Sequence, residues 1–345
     1  MPLTDLMAIE ECRLHTRWYD VLPRHPDQLT ALHESDAELM RLPDGSILAL
    51  TTDSISEELA LGLYDDAETA GWVAAVASLS DLAAVGAKPI GLLAAVTLPR
   101  DAREMWQDGI ARGLAEACAD VGTWVLGGDT SIGDSVALTT TAAGIIAPGR
   151  YLTRRGAAPG DVVCCTGPLG AGIGPVARCI PGLTDFPLHR FRPRARVAAG
   201  QAMAAFATCG IDTSDGLITA LDQLARVNSV GIEITATPDA LLIPSVLTFC
   251  RNAGLDPLVP LAQPHGEFEL VYTVPTHRYA EAAEALRATG CDPVELGRVV
   301  AAPGLRFTAG RRRDVDGAAI RNLAASAAED PAAFLVALST LVAGT

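Results

Sequence analysis

Residues 79–89 read LSDLAAVGAKP and join the end of an apolar helix to the start of a strand. Asp81 is the only charged residue of the helix predicted over 71–86, which is rich in Ala, Val and Leu. Gly86 and Pro89 are residues that typically end a helix. A carboxylate within an uncharged apolar helix is costly to bury without a partner. Asp81 is therefore the first candidate functional residue.

Predicted strands and helices alternate on both sides of this stretch. Residues 46–52 and 91–98 have the apolar pattern of strands, and 103–121 has apolar residues at helical spacing. The alternation continues in the second half, which favours the α/β or α+β class. A turn-rich segment at 147–160 predicts a domain boundary. We expect an N-terminal domain over 1–148, a C-terminal α/β domain over 149–310 and a helical tail over 311–345.

The composition describes a folded protein with an acidic surface. Hydrophobic residues make up 49% and charged residues 19% of the 345 residues, as in compact globular proteins. The formal net charge of −15 repels phosphate backbones and anionic lipids, so we predict neither a nucleic-acid nor a membrane partner. The 8 cysteines lack CxxC spacing, which indicates free buried thiols. No targeting or membrane-spanning pattern is present, so we expect a cytoplasmic location.

Six aspartates stand beside Gly, Ser or Thr at the ends of apolar elements, where a scaffold presents chemistry. They are Asp36, Asp53, Asp81, Asp129, Asp212 and Asp215. Carboxylates about 5 Å apart repel by roughly 3 kcal/mol per pair at an effective dielectric of 20. Mg²⁺ would remove that cost, because it takes carboxylate oxygens and completes its shell with water and substrate phosphates. Each aspartate alone could equally be a helix cap or a turn residue.

Several motifs, in their order and spacing, resemble those of the thiamine-monophosphate kinase family, which belongs to the aminoimidazole ribonucleotide synthetase superfamily. They are TTD at 51–53, LSDLAAVGAKP at 79–89, GGDT at 127–130, LTRRGAAPGD at 152–161, RP at 192–193 with Arg196, and IDTSDGL at 211–217. The resemblance covers roughly residues 32–300. It implies an N-terminal sheet that forms a barrel with a second subunit of a homodimer, a C-terminal α/β domain, and ATP in the cleft between the domains.

The resemblance also implies roles for individual residues. The Mg²⁺ ligands would be Asp36, Thr52, Asp53, Asp81, Asp129, Asp212 and Asp215. The nucleotide would contact Gly128, Asp129, Arg154 and Ser214. The catalytic residues would be Asp81, Asp129, Arg154 and Asp212. Phosphoryl transfer depends mostly on positioning and charge neutralisation, so metal ions and an arginine at the γ-phosphate could carry most of the catalysis.

The positions that this family uses for its own acceptor have changed. Where the family has paired aspartates this chain has Ser35 before Asp36, and a His-Phe pair is replaced by Ala60 and Leu61. Residues 314–317 read DVDG and offer no aromatic to stack on a thiamine ring. Loss of a hydrogen-bonding group and of a stacking ring weakens binding of the same ligand. We therefore predict an acceptor other than thiamine phosphate.

Two further segments allow more than one interpretation. Glu267 and Glu269, in GEFEL at 266–270, are candidate substrate contacts, but alternation along a strand explains them equally well. The loop GPLGAGIG at 167–174 is not a Walker A sequence, and it could be only a tight connection from strand to helix.

Three functions remain open from the residues and the resemblance. The leading hypothesis is an ATP-dependent kinase for a small phosphorylated or hydroxylated metabolite. The second is a synthetase or cyclase that activates its substrate with phosphate, although this chain lacks the cysteines of the hydrogenase maturation protein and of selenophosphate synthetase. The third is a nucleotide-binding regulatory protein without turnover, motivated by Ser35 and the changed acceptor positions.

Overall fold

The N-terminal half of the chain forms a five-stranded sheet with helices on one face. The computed structural model describes residues 3–149, 151–183, 191–310, 312–326 and 330–343. After a 3-10 helix at Leu3–Ala8, the elements are α1 (Glu10–Tyr19), β1 (Glu38–Arg41), β2 (Ile47–Ser54), α2 (Ser56–Ala60), α3 (Ala67–Ala84), β3 (Lys88–Leu98), α4 (Arg103–Asp120), β4 (Val125–Ile132) and β5 (Ala137–Ile146). The strand order is β1-β2-β5-β3-β4, and only β3 and β4 pair in parallel.

The C-terminal half forms a second, seven-stranded sheet. Its helices are α5 (Ile173–Arg178), α6 (Val197–Met203), α7 (Leu217–Asn228), α8 (Pro238–Leu241), α9 (Pro244–Ala253), α10 (Val259–Ala262), α11 (Tyr279–Ala288), α12 (Gly317–Ser326) and α13 (Pro331–Ala343), with a 3-10 helix at Thr276–Arg278. Its strands are β6 (Val162–Cys165), β7 (Cys209–Asp212), β8 (Gly231–Ile234), β9 (Leu270–Val274), β10 (Val294–Val300), β11 (Gly304–Phe307) and β12 (Arg313–Val315). The order is β12-β11-β8-β10-β6-β9-β7, so the segment predicted as a helical tail also contributes a strand.

Helix α3 lies between the two sheets and contacts strands of both. Glycines allow its neighbours to approach closely: a Cβ on Gly113 of α4 would lie 2.0 Å from the carbonyl oxygen of Glu68, and a Cβ on Gly200 of α6 would lie 1.9 Å from that of Ala83. One continuous cluster of buried apolar side chains extends through both halves. The position of Asp81 on this helix therefore places it at the junction of the domains.

Strand β4 continues through the GGD motif, whereas the sequence analysis placed Asp129 at the end of an apolar element. Gly128 permits this, because a Cβ at that position would lie 1.8 Å from the carbonyl oxygen of Ala94 on the neighbouring strand β3. Asp129 consequently lies in the middle of a strand, paired with Ala95 in the register, and not in a loop.

The sheet face opposite α3 is open in this chain. Leu50, Ile90 and Leu93 are 39%, 43% and 47% exposed, and every residue of the edge strand β4 is exposed. An open apolar face of this kind marks an interaction surface. The predicted barrel with a second subunit would use this face and stays a prediction. In the described part of the chain, no helix is long and apolar enough to cross a membrane.

Candidate active site

Three carboxylates from distant parts of the chain converge at the junction of the domains. Asp36 precedes β1, Asp81 lies on α3 and Asp212 ends β7; one oxygen of each lies within 4.8 Å of the others. The Asp36 side chain is only 1% exposed. Carboxylates at this separation and burial repel one another strongly unless a proton or a cation lies between them.

Hydroxyl groups hold these carboxylates in place. Thr51 on β2 donates to Asp81, and Ser80 donates to Oδ2 of Asp212 at 2.7 Å, across the domain junction. The Ser214 hydroxyl donates to Oδ1 of Asp212 at 2.8 Å. Each hydroxyl satisfies one carboxylate oxygen and fixes the orientation of the carboxylate in the cluster.

Asp53 extends the cluster along β2. Alternation along the strand places Asp53 on the same face as Thr51, toward α3. Oδ2 of Asp53 and Oδ2 of Asp36 are both buried and accept no hydrogen bond from any described residue. Because buried acceptors are nearly always paired, these two oxygens fit the coordination of a hard cation such as Mg²⁺.

Burial and neighbouring like charges raise the pKa values of three carboxylates in the cluster. Burial raises the pKa of Asp53. Burial, followed by the charges of Asp53, Asp212 and Asp36, raises the pKa of Asp81 well above its ordinary value. Burial and the charge of Asp36 raise the pKa of Asp212 to about 7. Shifts of this kind, from burial plus like charges in a cleft, are typical of functional sites.

Arg154 supplies positive charge on the wall of the cluster. Its Nη2 donates to Oδ1 of Asp36 at 3.0 Å. Its backbone is fixed from both sides, since the N–H donates to the carbonyl oxygen of Glu34 at 2.7 Å and the carbonyl accepts from the Asn228 side chain at 2.7 Å. The Arg154 Nε is buried and donates to no described residue. The guanidinium group therefore keeps a donor for a further oxyanion.

One cavity of about 850 Å³ brings most of the residues predicted for the site together. Its lining includes Asp36, Thr52, Asp53, Asp81, Arg154, Asp212, Ser214 and Asp215. Thr52 points to the opposite face of β2 from Asp53, where its hydroxyl donates to the carbonyl oxygen of Thr140 at 3.1 Å. Asp36, Asp81 and Asp212 form the centre of the arrangement.

Four predicted residues lie elsewhere. Gly128 and Asp129 are on the exposed edge strand β4 and do not line this cavity. Glu269 is buried, and it accepts hydrogen bonds from the guanidinium group of Arg196 and the hydroxyl of Thr166. Glu267 is also buried away from the cavity, whereas its neighbours Gly266 and Phe268 line it. Strand β9 begins only at Leu270 and Phe268 has a φ of 57°, so the alternation along a strand that the sequence allowed does not describe these glutamates, and their role as substrate contacts stays a prediction.

The glycine-rich loop at 167–174 surrounds the carboxylate of Glu267. The backbone N–H of Gly172 donates to Oε1 at 2.8 Å. Burial raises the pKa of Glu267 to about 8, although backbone N–H groups of Gly172, Gly170 and Ala171 favour its charged form. The loop thus binds a carboxyl group of its own chain.

Arg321 is a site residue that the sequence analysis missed. It lies on α12, and its Nη2 is 2.7 Å from an oxygen of Glu11 and 2.8 Å from Oδ2 of Asp215. Arg321 is the only charged residue of this helix, GAAIRNLAAS. The argument that singled out Asp81, one charge in an apolar helix, would therefore have found it.

A second cavity of about 710 Å³ adjoins the first. Both are lined by Glu11, Glu58, Asp215 and Arg321, so these side chains lie at the boundary. Apolar side chains, among them Leu14, Leu61 and Phe334, line other parts of its wall, beside Glu10 and Glu57. Helices α1, α12 and α13 supply much of this cavity.

Comparison with known proteins matches both halves of the chain. The family models "AIR synthase related protein, N-terminal domain" and "AIR synthase related protein, C-terminal domain" match residues 34–146 and 158–310. The thiamine-monophosphate kinase of Escherichia coli strain K12 is 32% identical over 279 residues, which are 78% of this chain and 84% of that protein. Helices α1, α12 and α13 lie outside the two matched ranges.

Solved structures share the fold. The protein tt0281 from Thermus thermophilus superposes with a TM-score of 0.75 at 29% identity, covering 87% of this chain and 96% of that chain. AaThiL complexed with AMPPCP and TMP superposes with a TM-score of 0.71 at 24% identity, covering 91% and 98%. These comparisons confirm the predicted two-domain fold.

Proposed function

Because the chain belongs to the thiamine-monophosphate kinase family of AIR synthase related proteins, we propose that it is an ATP- and Mg²⁺-dependent phosphotransferase for a small-molecule acceptor. The observation that carries the proposal is the convergence of Asp36, Asp81 and Asp212 within 4.8 Å, beside Arg154. Such an arrangement suits a triphosphate held through divalent cations, since the transfer needs its charge neutralised and its phosphates aligned.

The carboxylates fit Mg²⁺ by their chemistry. Asp36, Thr52, Asp53, Asp81, Asp212 and Asp215, which all line the cavity, are the proposed ligands of magnesium ions, each ion taking one or two of the carboxylates. Bound there, the ion would neutralise phosphate charge and polarise the phosphoryl group. Oδ2 of Asp36 and Oδ2 of Asp53 support this assignment, because neither oxygen accepts a hydrogen bond from a described residue.

Side chains of this protein would bind and orient the nucleotide. The Nε–H of Arg154 donates to no described residue and could donate to a phosphate oxygen. Ser214 lines the same cavity. Gly128 and Asp129 are proposed to join the nucleotide site, which requires the edge strand β4 to be brought to the nucleotide in the assembled protein. A homodimer through the open sheet face, in the cytoplasm and without a nucleic-acid partner, completes the proposal.

The second cavity is the proposed acceptor site. Leu61 lines it at the position where the family is expected to have Phe, and the preceding Ala60 replaces the expected His, so a hydrogen-bonding group is lost next to this wall. Phe334 supplies an aromatic ring from α13, a helix outside the matched ranges. We therefore propose an acceptor that differs from thiamine phosphate and has an apolar portion.

Product analysis tests this function. The protein would be incubated with Mg²⁺, ATP and a panel of hydroxylated and phosphorylated metabolites that includes thiamine phosphate, with products identified by mass spectrometry. A kinase gives ADP and a phosphorylated acceptor in equal amounts. Free phosphate with a changed but unphosphorylated acceptor would establish an activating synthetase or cyclase instead. Binding of ATP and Mg²⁺ without turnover across the panel would favour a regulatory protein.

A further inference from the structure

We propose that Arg321 is an additional phosphate-contacting residue, which binds the phosphoryl group as it passes from the nucleotide to the acceptor. This inference rests on the proposed function and adds a catalytic residue to it. Arg321 lies on α12, beyond residues 34–146 and 158–310 that the family models match.

Arg321 lies at the boundary between the two cavities. It lines both the carboxylate cavity and the second cavity, so a group that moves from one to the other passes its guanidinium. Its side chain is only 17% exposed, and Nη1 is fixed by a 3.1 Å hydrogen bond to Oε1 of Gln223. A guanidinium group is a rigid fork of donors that matches the geometry of phosphate oxygens.

The partners of Arg321 are the second argument. Nη2 lies 2.8 Å from Asp215 and 2.7 Å from Glu11, so two carboxylates surround one cation. Burial opposes the charge of Arg321, but Asp215 and Glu11 hold its pKa above the ordinary value, so it remains a cation. Asp215 is also a proposed Mg²⁺ ligand. Turning its carboxylate toward the ion would release a donor of Arg321 for a phosphate oxygen.

A purely structural role is the alternative, because Arg321 also joins α12 to α1. Asn322 makes the same connection independently: its Oδ1 accepts from the Glu10 N–H at 2.8 Å, and its Nδ2 donates to the carbonyl oxygen of Ala8 at 2.8 Å. Asn322→Ala therefore loosens the contact between these helices without removing the cation. It is the matched control for Arg321→Gln.

The test uses Mg²⁺, ADP and beryllium fluoride, which together mimic a bound phosphoryl group and need no acceptor. Calorimetry would give the ADP affinity with Mg²⁺ alone and the gain in affinity when beryllium fluoride is added. In Arg321→Gln we expect ADP affinity within about threefold of wild type and a gain that is smaller by about tenfold or more, since a charged hydrogen bond is lost. Asn322→Ala should keep the full gain.

Different failures have different meanings. A full gain in Arg321→Gln, or an equal loss in Asn322→Ala, would overturn the role of Arg321 and leave the kinase proposal standing. Absence of Mg²⁺-dependent ADP binding in the wild type would overturn the kinase proposal itself. If Arg321→Gln does not fold, Arg321→Lys decides, because it keeps the charge without the fork: a gain reduced at least threefold supports the proposal, and an undiminished gain refutes it.

Discussion

The two adjoining cavities are built from different kinds of chain segment. In the first cavity, every carboxylate of the central cluster, like Arg154, lies in a motif or range shared with the family. Hydrogen bonds from Thr51, Ser80 and Ser214 hold Asp81 and Asp212 in place. Much of the second cavity comes from α1, α12 and α13, which lie outside those ranges. The carboxylate cavity is therefore built within the matched family ranges and motifs, whereas the second cavity also draws on segments outside the matched ranges.

The largest expected effect follows from changing the carboxylate cavity. Asp81→Asn removes one charge from the centre of the cluster, so we expect Mg²⁺-dependent ATP turnover to fall by about 100-fold or more. Circular dichroism should show an intact fold, because the substitution removes a buried carboxylate whose pKa is already raised. Asp239→Asn, at an exposed side chain of α8, is the control. Equal turnover in Asp81→Asn and Asp239→Asn would show that ATP turnover does not depend on the carboxylate cavity.

A change on the open sheet face tests whether one chain alone supplies all the residues of the proposed nucleotide site. Leu93→Glu places a charge on the open sheet face, and we expect it to weaken a homodimer by roughly 100-fold, since a carboxylate would be buried without a partner. Sedimentation measures the change, and Met105→Glu, 74% exposed on α4, is the control. If pairing brings Asp129 to the nucleotide, the monomeric variant should lose turnover as Asp129→Asn does. A wild-type protein that is monomeric at high concentration would contradict the predicted dimer.

A change confined to the second cavity should have a smaller effect of a different kind. Leu61→Ala removes apolar contact from the proposed acceptor site, so we expect the acceptor KM to rise by roughly tenfold. The Kd for ATP with Mg²⁺ should stay within about twofold, as should that of the control Val336→Ala at an exposed position. Weaker ATP binding in Leu61→Ala would show that the cavities are not separate sites.

The smallest expected effect concerns Glu267, which lies in neither cavity. Burial raises its pKa from 4.5 to about 8, so the neutral form is favoured in the folded state. The stability that this contributes is complete below the ordinary pKa and is lost as pH rises through about 8. Glu267→Gln stays neutral, so its Tm should fall less than that of wild type between pH 5 and pH 9, by roughly 5 °C. Parallel Tm curves would show that Glu267 does not titrate in this range.

Sequence reasoning predicted the fold, which the comparisons confirm, and it named the three carboxylates that the structure brings together, because both depend on local patterns. Asp81 was recognisable as a lone charge in an apolar helix, and the order of the motifs predicted two domains. It misplaced Asp129 at the end of an apolar element, whereas Gly128 allows the close approach of β4 to Ala94 and the strand continues. It passed over Arg321, because the Ala-rich tail was interpreted as an appendage, although a lone charge in an apolar helix is the same signal that singled out Asp81.

The central carboxylates come from both domains, and this has a consequence for motion. Asp36 precedes β1, and Asp81 lies on α3, which packs on the N-terminal sheet. Asp212 ends a strand of the C-terminal sheet, and the Ser80–Asp212 hydrogen bond links the two domains directly. If these carboxylates hold the proposed Mg²⁺, a rotation that opened the cleft would move them apart and weaken its binding. Loss of the ion would then accompany opening, and metal and nucleotide would have to bind together in each round of the proposed transfer.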